Sequence, residues 1–215
     1  MRRAGGLWRL PPGRLVLASA SPRRRWLLAG QGLRFAVAEP GIDEDAATGA
    51  PAGIARRLAL AKARAVAARR ADAWCLGADT VVAVGGRALG KPRDAADAAA
   101  MLRALSGRRH AVHTGVALVG PGFAATRVVT TEVRFRRLRA AEIAAYVATG
   151  EPFDKAGAYA AQGRGAVLLA GIQGDWSNVV GLPLGAVRAL LARAARGGGA
   201  PARAAARARR RAGHI

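Results

Sequence analysis

The sequence predicts one main domain of the α/β or α+β type, and three features carry that prediction. Apolar, strand-like runs alternate along the chain with stretches of helical periodicity. Two pairs of strand runs are joined by two-residue turns, Gly85-Gly86 and Pro121-Gly122, which read as hairpins. The helical stretches close on glycines: Gly30 or Gly32, Gly107 and Gly150.

Taken in order, RLVLAS reads as a first strand and PRRRWLLAGQG as a helix. Ser21 stands as its N-cap and Pro22 at its first position, where proline's fixed φ and missing N–H cost nothing. LRFAVAE reads as a second strand, and PGIDEDAATGA as an acidic, turn-rich loop. PAGIARRLALAKARAVAARR carries apolar residues on one helical face, with Pro51 near its start. AWCLGADTVVAV is a buried strand with RALG as its return across Gly85-Gly86, and DAADAAAMLRALSG is a helix. HAVHTGVALVG and FAATRVVTTEVRF form the second, longer hairpin. AAEIAAYVATG is a helix, AVLLAGIQG a late strand, and LGAVRALLARAARGGG the last helix. The organisation expected is an extension over 1–13, a domain over 14–196 and a basic, low-complexity tail over 197–215 expected to be disordered.

Composition narrows the function classes. With 52% hydrophobic residues in 215, the chain can bury a proper core, and no apolar run is long enough to span a membrane. The single cysteine, Cys75, excludes an internal disulfide and a cysteine-based zinc site, which makes the cytoplasm the default compartment. A net charge of +22 invites a nucleic-acid reading. Much of the excess, however, lies between Arg188 and Arg211, and aromatics for base stacking amount to only 5% of residues. A tail that loosely contacts polyanions fits this pattern better than specific nucleic-acid recognition does.

Several residues stand out for chemistry. Arg23, Arg24 and Arg25 sit in the first turn of a helix, where the unpaired N–H groups already carry positive partial charge. Cations there make sense if an anion fills the space in front. GGRALGK, from Gly85 to Lys91, matches the spacing of a phosphate-binding P-loop. Pro92 then stands where Ser or Thr is needed, and the glycine pair separates two strands, so the hairpin reading wins. In that hairpin register Thr80 lies opposite Lys91, which would let Lys91 reach the Asp79 carboxylate or a phosphate facing it. Asp79 is a lone carboxylate in an apolar strand, costly to bury unless paired or metal-bound. Lys62 stands among alanines and leucines. Glu44 lies in the acidic loop, and with Asp79 it would suit an oxygen-ligand magnesium site. Against these stand plainer readings: a satisfied structural aspartate, a lysine snorkelling from a helix face, and an exposed acidic loop. His110 and His113, three apart in a strand, point to opposite faces and make no metal pair.

The ordered blocks SASPRR–WLL, GIDED, AKARA, GADTVVAVGGRALGKP, MLRALSGRRHAVHTGVAL, YVATGEPFDKAGAYAAQGRG and GDWSNVVGLPL resemble the Maf family of nucleoside triphosphate pyrophosphatases, from about Leu15 to Leu191. That resemblance implies a fold like that of the inosine triphosphate pyrophosphatases: an elongated mixed sheet with flanking helices and a central cleft between two lobes, in a chain that forms a homodimer. It also implies hydrolysis of a nucleoside triphosphate to monophosphate and pyrophosphate, with a divalent cation, Mg²⁺ or Mn²⁺, as cofactor. Matched by position, Asp79 is the proton acceptor, and Glu44 shares metal and catalytic work with it. Lys62, Lys91 and Arg24 hold the triphosphate, and Ser19 and Ser21 line the turn. Arg23, Thr80 and Gln162 fall at the specificity positions, and those residue types resemble the branch acting on dTTP and UTP. A 7-methyl-GTP or other nucleotide preference is the alternative within the enzyme class. A non-catalytic regulator of cell division, using the basic tail, is the alternative outside it. One departure is Ala61, where many relatives carry an acid before the lysine.

Overall fold

The computed structural model describes residues 6–44 and 47–197. A seven-stranded mixed sheet has the order β2-β1-β3-β5-β6-β7, with β4 also paired to β3. β1 (Arg14–Ala18) runs parallel to both β2 (Ala36–Ala38) and β3 (Ala73–Val84). The remaining pairings, with β4 (Arg87–Leu89), β5 (Arg109–Gly120), β6 (Phe123–Phe135) and β7 (Leu169–Gln173), are antiparallel. The helices are α1 (Pro22–Ala29), α2 (Pro51–Ala67), α3 (Ala95–Leu105), α4 (Ala140–Ala148), α5 (Trp176–Val180) and α6 (Leu184–Gly197). β3 and β6 occupy the stretches their sequence patterns mark out. Gly85 and Gly86 both have positive φ, as the two-residue turn of the β3–β4 hairpin requires.

Some expectations are corrected. The late strand begins only at Leu169, because residues 163–168 wind into a 3₁₀ turn. Glu151 holds that turn by accepting the backbone N–H groups of Arg164 and Gly165. The second strand shrinks to three residues at the sheet edge. Helix α5 and the 3₁₀ turns at Glu151–Asp154 and Ala156–Ala158 were not anticipated. The tail falls outside the described residues beyond Gly197, where α6 ends. No described helix is long and apolar enough to cross a membrane.

Along β3 the even-numbered side chains share one face of the sheet. Trp74, Leu76 and Ala78 join a core with Leu27 and Leu28 of α1 and Val187, Leu190 and Leu191 of α6. Val82 joins a second core with Leu102 and Leu105 of α3 and Ile143 and Val147 of α4. Thr80 lies between the two, directly opposite Thr114 of β5, so a polar belt interrupts the apolar face. The other face of β3 and β5 is covered by α2 at very close range. A Cβ on Gly77 would fall 2.2 Å from the Ala59 carbonyl oxygen, and one on Gly115 2.2 Å from that of Ala55. Glycine at those two places is what lets the helix backbone sit directly on the strands.

Candidate active site

The site lies at a break in strand pairing. On one edge β3 is paired continuously with β5 from Cys75 to Ala83. On the other edge the β1 ladder ends at Ala18–Gly77 and the β4 ladder begins only at Val82–Leu89. The segment between, carrying Asp79 and Thr80, therefore has an open edge. The turn after β1, the start of α1 and the loop bearing Glu44 supply side chains to it.

Asp79 points to the α2 side, opposite Gly115, and is only 6% exposed. The close seating of α2 places the Lys62 ammonium, itself 3% exposed, 2.6 Å from Asp79 Oδ1. The same ammonium lies 2.8 Å from Glu44 Oε1, and Lys91 Nζ approaches Glu44 Oε2 at 4.0 Å. Charges thus alternate along the line Asp79, Lys62, Glu44, Lys91. Of the two partners expected for Lys91, the Asp79 carboxylate or a phosphate facing it, the first is replaced by Glu44. The hairpin register is the expected one, but its ladder stops at Val82–Leu89, and Lys91 swings out to Glu44 with its side chain 62% exposed. Nor is Asp79 bare, as a solvent-facing base would be; it is buried against Lys62. Ala61 is exposed on α2, so orientation of the lysine falls to Asp79 and Glu44.

Arg24 fills the other side of the gap. Its guanidinium donates to the Gly181 carbonyl at 2.8 Å, to Ser19 Oγ at 3.2 Å and to Thr80 Oγ1 at 3.2 Å. Thr114 Oγ1 donates to the Asn178 carbonyl at 2.9 Å and lies 3.0 Å from Thr80 Oγ1. With the Thr114 proton committed, Thr80 must donate to Thr114 and accept from Arg24, which fixes the polarity of the whole belt. Ser19 Oγ also accepts the Ser21 N–H at 3.2 Å. Ser21 occupies the expected N-cap position of α1 with extended backbone, but its hydroxyl makes no side-chain cap.

Arg23 is turned away from this group. It pairs with Asp154 Oδ2 at 2.9 Å and lines a narrow pocket with Thr80, Lys155, Tyr159 and Gln162. Gln162 Oε1 is buried there without a hydrogen-bond donor, an arrangement that costs free energy until a ligand supplies one. Sequence reasoning missed Asp154, Thr114 and Asn178. Asp154 and Asn178 lie in the quoted blocks DKAGAY and DWSNVV, but nothing in the sequence says what they touch.

The electrostatics follow from burial and neighbouring charge. Burial lifts the Asp79 carboxyl above the ordinary aspartate value, against the pull of Lys62 and Arg24. Burial works on Glu44 in the same sense, but the hydrogen bond and charge of Lys62, with the charges of Lys91 and Arg24, outweigh it and hold Glu44 below its usual range. Burial lowers Arg24, opposed by Asp79 and Glu44, and a guanidinium still remains charged. Two neighbouring carboxylates are thus pushed in opposite directions, the pattern that separates a proton acceptor from a permanently charged partner.

Among the described residues, no three His, Cys, Asp or Glu side chains converge as a metal cage. Glu44 and Asp79 each give one oxygen to Lys62. Two carboxylates completed by substrate phosphates is how Mg²⁺ is ordinarily held, so the donor set fits a hard divalent cation arriving with a nucleotide.

The family described as Maf-like protein matches residues 14–194. A Myxococcus xanthus protein named dTTP/UTP pyrophosphatase is 57% identical over 181 residues, covering 84% of this chain and 92% of its own. A Moorella thermoacetica protein of the same name is 59% identical over 185 residues, covering 83% and 94%. Among solved structures, a dITP/XTP pyrophosphatase from Mycobacterium abscessus superposes with a TM-score of 0.39 at 22% identity, over 58% of this chain and 75% of that one.

Proposed function

The chain belongs to the Maf-like protein family, and from that premise and the geometry of the β3 gap we propose that it hydrolyses dTTP and UTP to the monophosphate and pyrophosphate. The observation that carries this reading is the buried Asp79 carboxylate held by Lys62 at an open strand edge, under the charge of Arg24, with Lys91 next in line through Glu44. Such a site accepts a polyanion and keeps one base beside it. Water attacks the α-phosphorus, and its proton passes to Asp79. The α–β bridging oxygen departs with pyrophosphate, taking the electron pair of the broken P–O bond.

Each side chain has a part in that step. A carboxyl lifted by burial is a stronger proton acceptor than an ordinary aspartate. Lys62 holds Asp79 in place, while Arg24 and Lys91 offset the charge that builds on the leaving phosphates. Ser19 and Ser21 line the turn that approaches them. Glu44 stays ionised and with Asp79 would hold a divalent cation, Mg²⁺ or Mn²⁺, which supplies further neutralisation of phosphate charge. Pyrimidine selection rests on Gln162 with Thr80 and Arg23. The unpartnered Gln162 Oε1 suits the imide N–H of uracil or thymine, and the amide's own N–H groups suit a ring carbonyl. The assembly we expect is a homodimer and the compartment the cytoplasm.

The test is pyrophosphate release from a panel of dTTP, UTP, CTP, GTP and 7-methyl-GTP with Mg²⁺, Mn²⁺ or EDTA. Release from dTTP and UTP that EDTA abolishes supports the reading. Faster release from 7-methyl-GTP, or none from any nucleotide, refutes it.

A further inference from the structure

On another part of the molecule five arginines from three distant segments line one cavity of about 520 Å³. Arg9 comes from the leader, Arg127 from β6, and Arg188, Arg193 and Arg196 from α6. Their convergence is built by packing. Val187, Leu190, Leu191 and Ala194 bury the inner face of α6 in the core and leave its arginines outward. The leader is tied down where Trp74 Nε1 donates to the Pro12 carbonyl at 2.9 Å and where Trp8 packs on the same core.

No carboxylate among the described residues offsets these charges. Among the described residues none of the five makes an ion pair, and the cavity lining contains no acid. Arg193 instead stands over the Phe123 ring at 5.8 Å. Residues 1–5 and 198–215 contain no Asp or Glu, so whatever their placement they bring no side-chain carboxylate. Five uncompensated guanidinium groups around one concavity repel one another, and a multivalent anion relieves that repulsion.

We propose that this cavity is a second anion site, separate from the β3 gap, which takes a short oligophosphate of two or three linked phosphoryl groups. Guanidinium forks match phosphate oxygens two at a time, which favours phosphate over a diffuse counter-ion. Apart from arginine the lining is Gly, Ala and Leu, so no aromatic ring in it offers a base a stacking platform. The size of this open concavity suits a small ligand. The cavity shares no lining residue with the β3 gap, so loss of one bound molecule in the variant below tests it whether or not that gap binds the probe.

The probe is inorganic tripolyphosphate, with equilibrium dialysis of the full chain in EDTA. Two molecules are expected per chain. The Arg188→Gln/Arg196→Gln variant should lose one of them, by at least roughly tenfold in affinity, keep the other, and release pyrophosphate from UTP at the wild-type rate. Circular dichroism establishes that the variant is folded. Unchanged stoichiometry in this variant overturns the proposal. So does displacement of tripolyphosphate from the cavity by single-stranded oligothymidylate at lower concentration, which would make the surface a nucleic-acid contact.

Discussion

Replacing Gly77 by alanine should disable the site without touching any charged group. The new Cβ would stand 2.2 Å from the Ala59 carbonyl and 2.7 Å from the Ala63 nitrogen, both backbone atoms that no rotamer change can move. Ordinary contact begins at 3.4 Å, so α2 must retreat by about 1.2 Å from the strand. Carried along the helix, that shift takes the Lys62 ammonium from 2.6 Å to beyond hydrogen-bonding distance of Asp79. Displacement of about 1 Å in a catalytic arrangement can cost on the order of a hundredfold in rate, and overpacking of this kind destabilises by about 1–3 kcal/mol. The assay is kcat for pyrophosphate release from UTP, read with a thermal melt that establishes the folded fraction. Gly185→Ala is the control, because a Cβ there meets nothing within 4 Å, and it should leave both readings at wild-type levels. A folded Gly77→Ala protein with kcat within threefold of wild type would refute the claim that the seating of α2 sets the site.

Other consequences are equally direct. Because burial raises Asp79, the acid limb of the kcat/KM profile should lie above the ordinary aspartate value of about 3.9, with activity falling as pH drops through it; a limb at or below that value contradicts the assignment. Gln162→Leu should erode the preference for UTP over other nucleotides by roughly 10–100-fold while leaving kcat for the chemistry largely intact, measured by kcat/KM across the panel. His110 is buried, with Nε2 2.8 Å from the Tyr159 hydroxyl, and burial pushes it down to about 4. A lowered histidine stabilises fully above about pH 6.5 and loses that contribution as pH falls toward 4, a loss on the order of 3 kcal/mol. Urea unfolding of wild type and His110→Phe between pH 7 and 4 reads it, and parallel pH dependence in the two proteins would remove His110 as the cause.

Much of the architecture is legible in the chain because its cues are local. The apolar run from Ala73 to Val84 and the glycine pair after it leave little choice but a strand and a tight turn, and the ladder from Val82–Leu89 to Val84–Arg87 keeps the expected register. Local cues fail where distant contacts decide. Nothing near residues 163–168 shows that Glu151 will cap a 3₁₀ turn there and delay β7. The identities at the site could be picked out as residues, Asp79 and Lys62 above all, yet their partnership could not. It depends on Gly77 and Gly115 being empty enough to admit α2, a property of two strands and a helix together. Hairpin arithmetic points Lys91 at Asp79 or a phosphate facing it, because it assumes that the ladder continues past Leu89, where in fact it stops. The Arg24, Thr80 and Thr114 belt was half visible: the arginines asked for an anion in front of α1, but the threonine chain that orients one of them needs the β3–β5 register.

The central claim is that a buried carboxylate, held by Lys62 beside a cationic phosphate cradle, takes the proton from the attacking water. Pyrophosphate release from UTP in the presence of Mg²⁺, compared between wild type and Asp79→Asn at equal folded concentration, tests it most directly. The account predicts a fall in kcat of about 10²–10⁴-fold with nucleotide still bound. Turnover by Asp79→Asn within tenfold of wild type would contradict it.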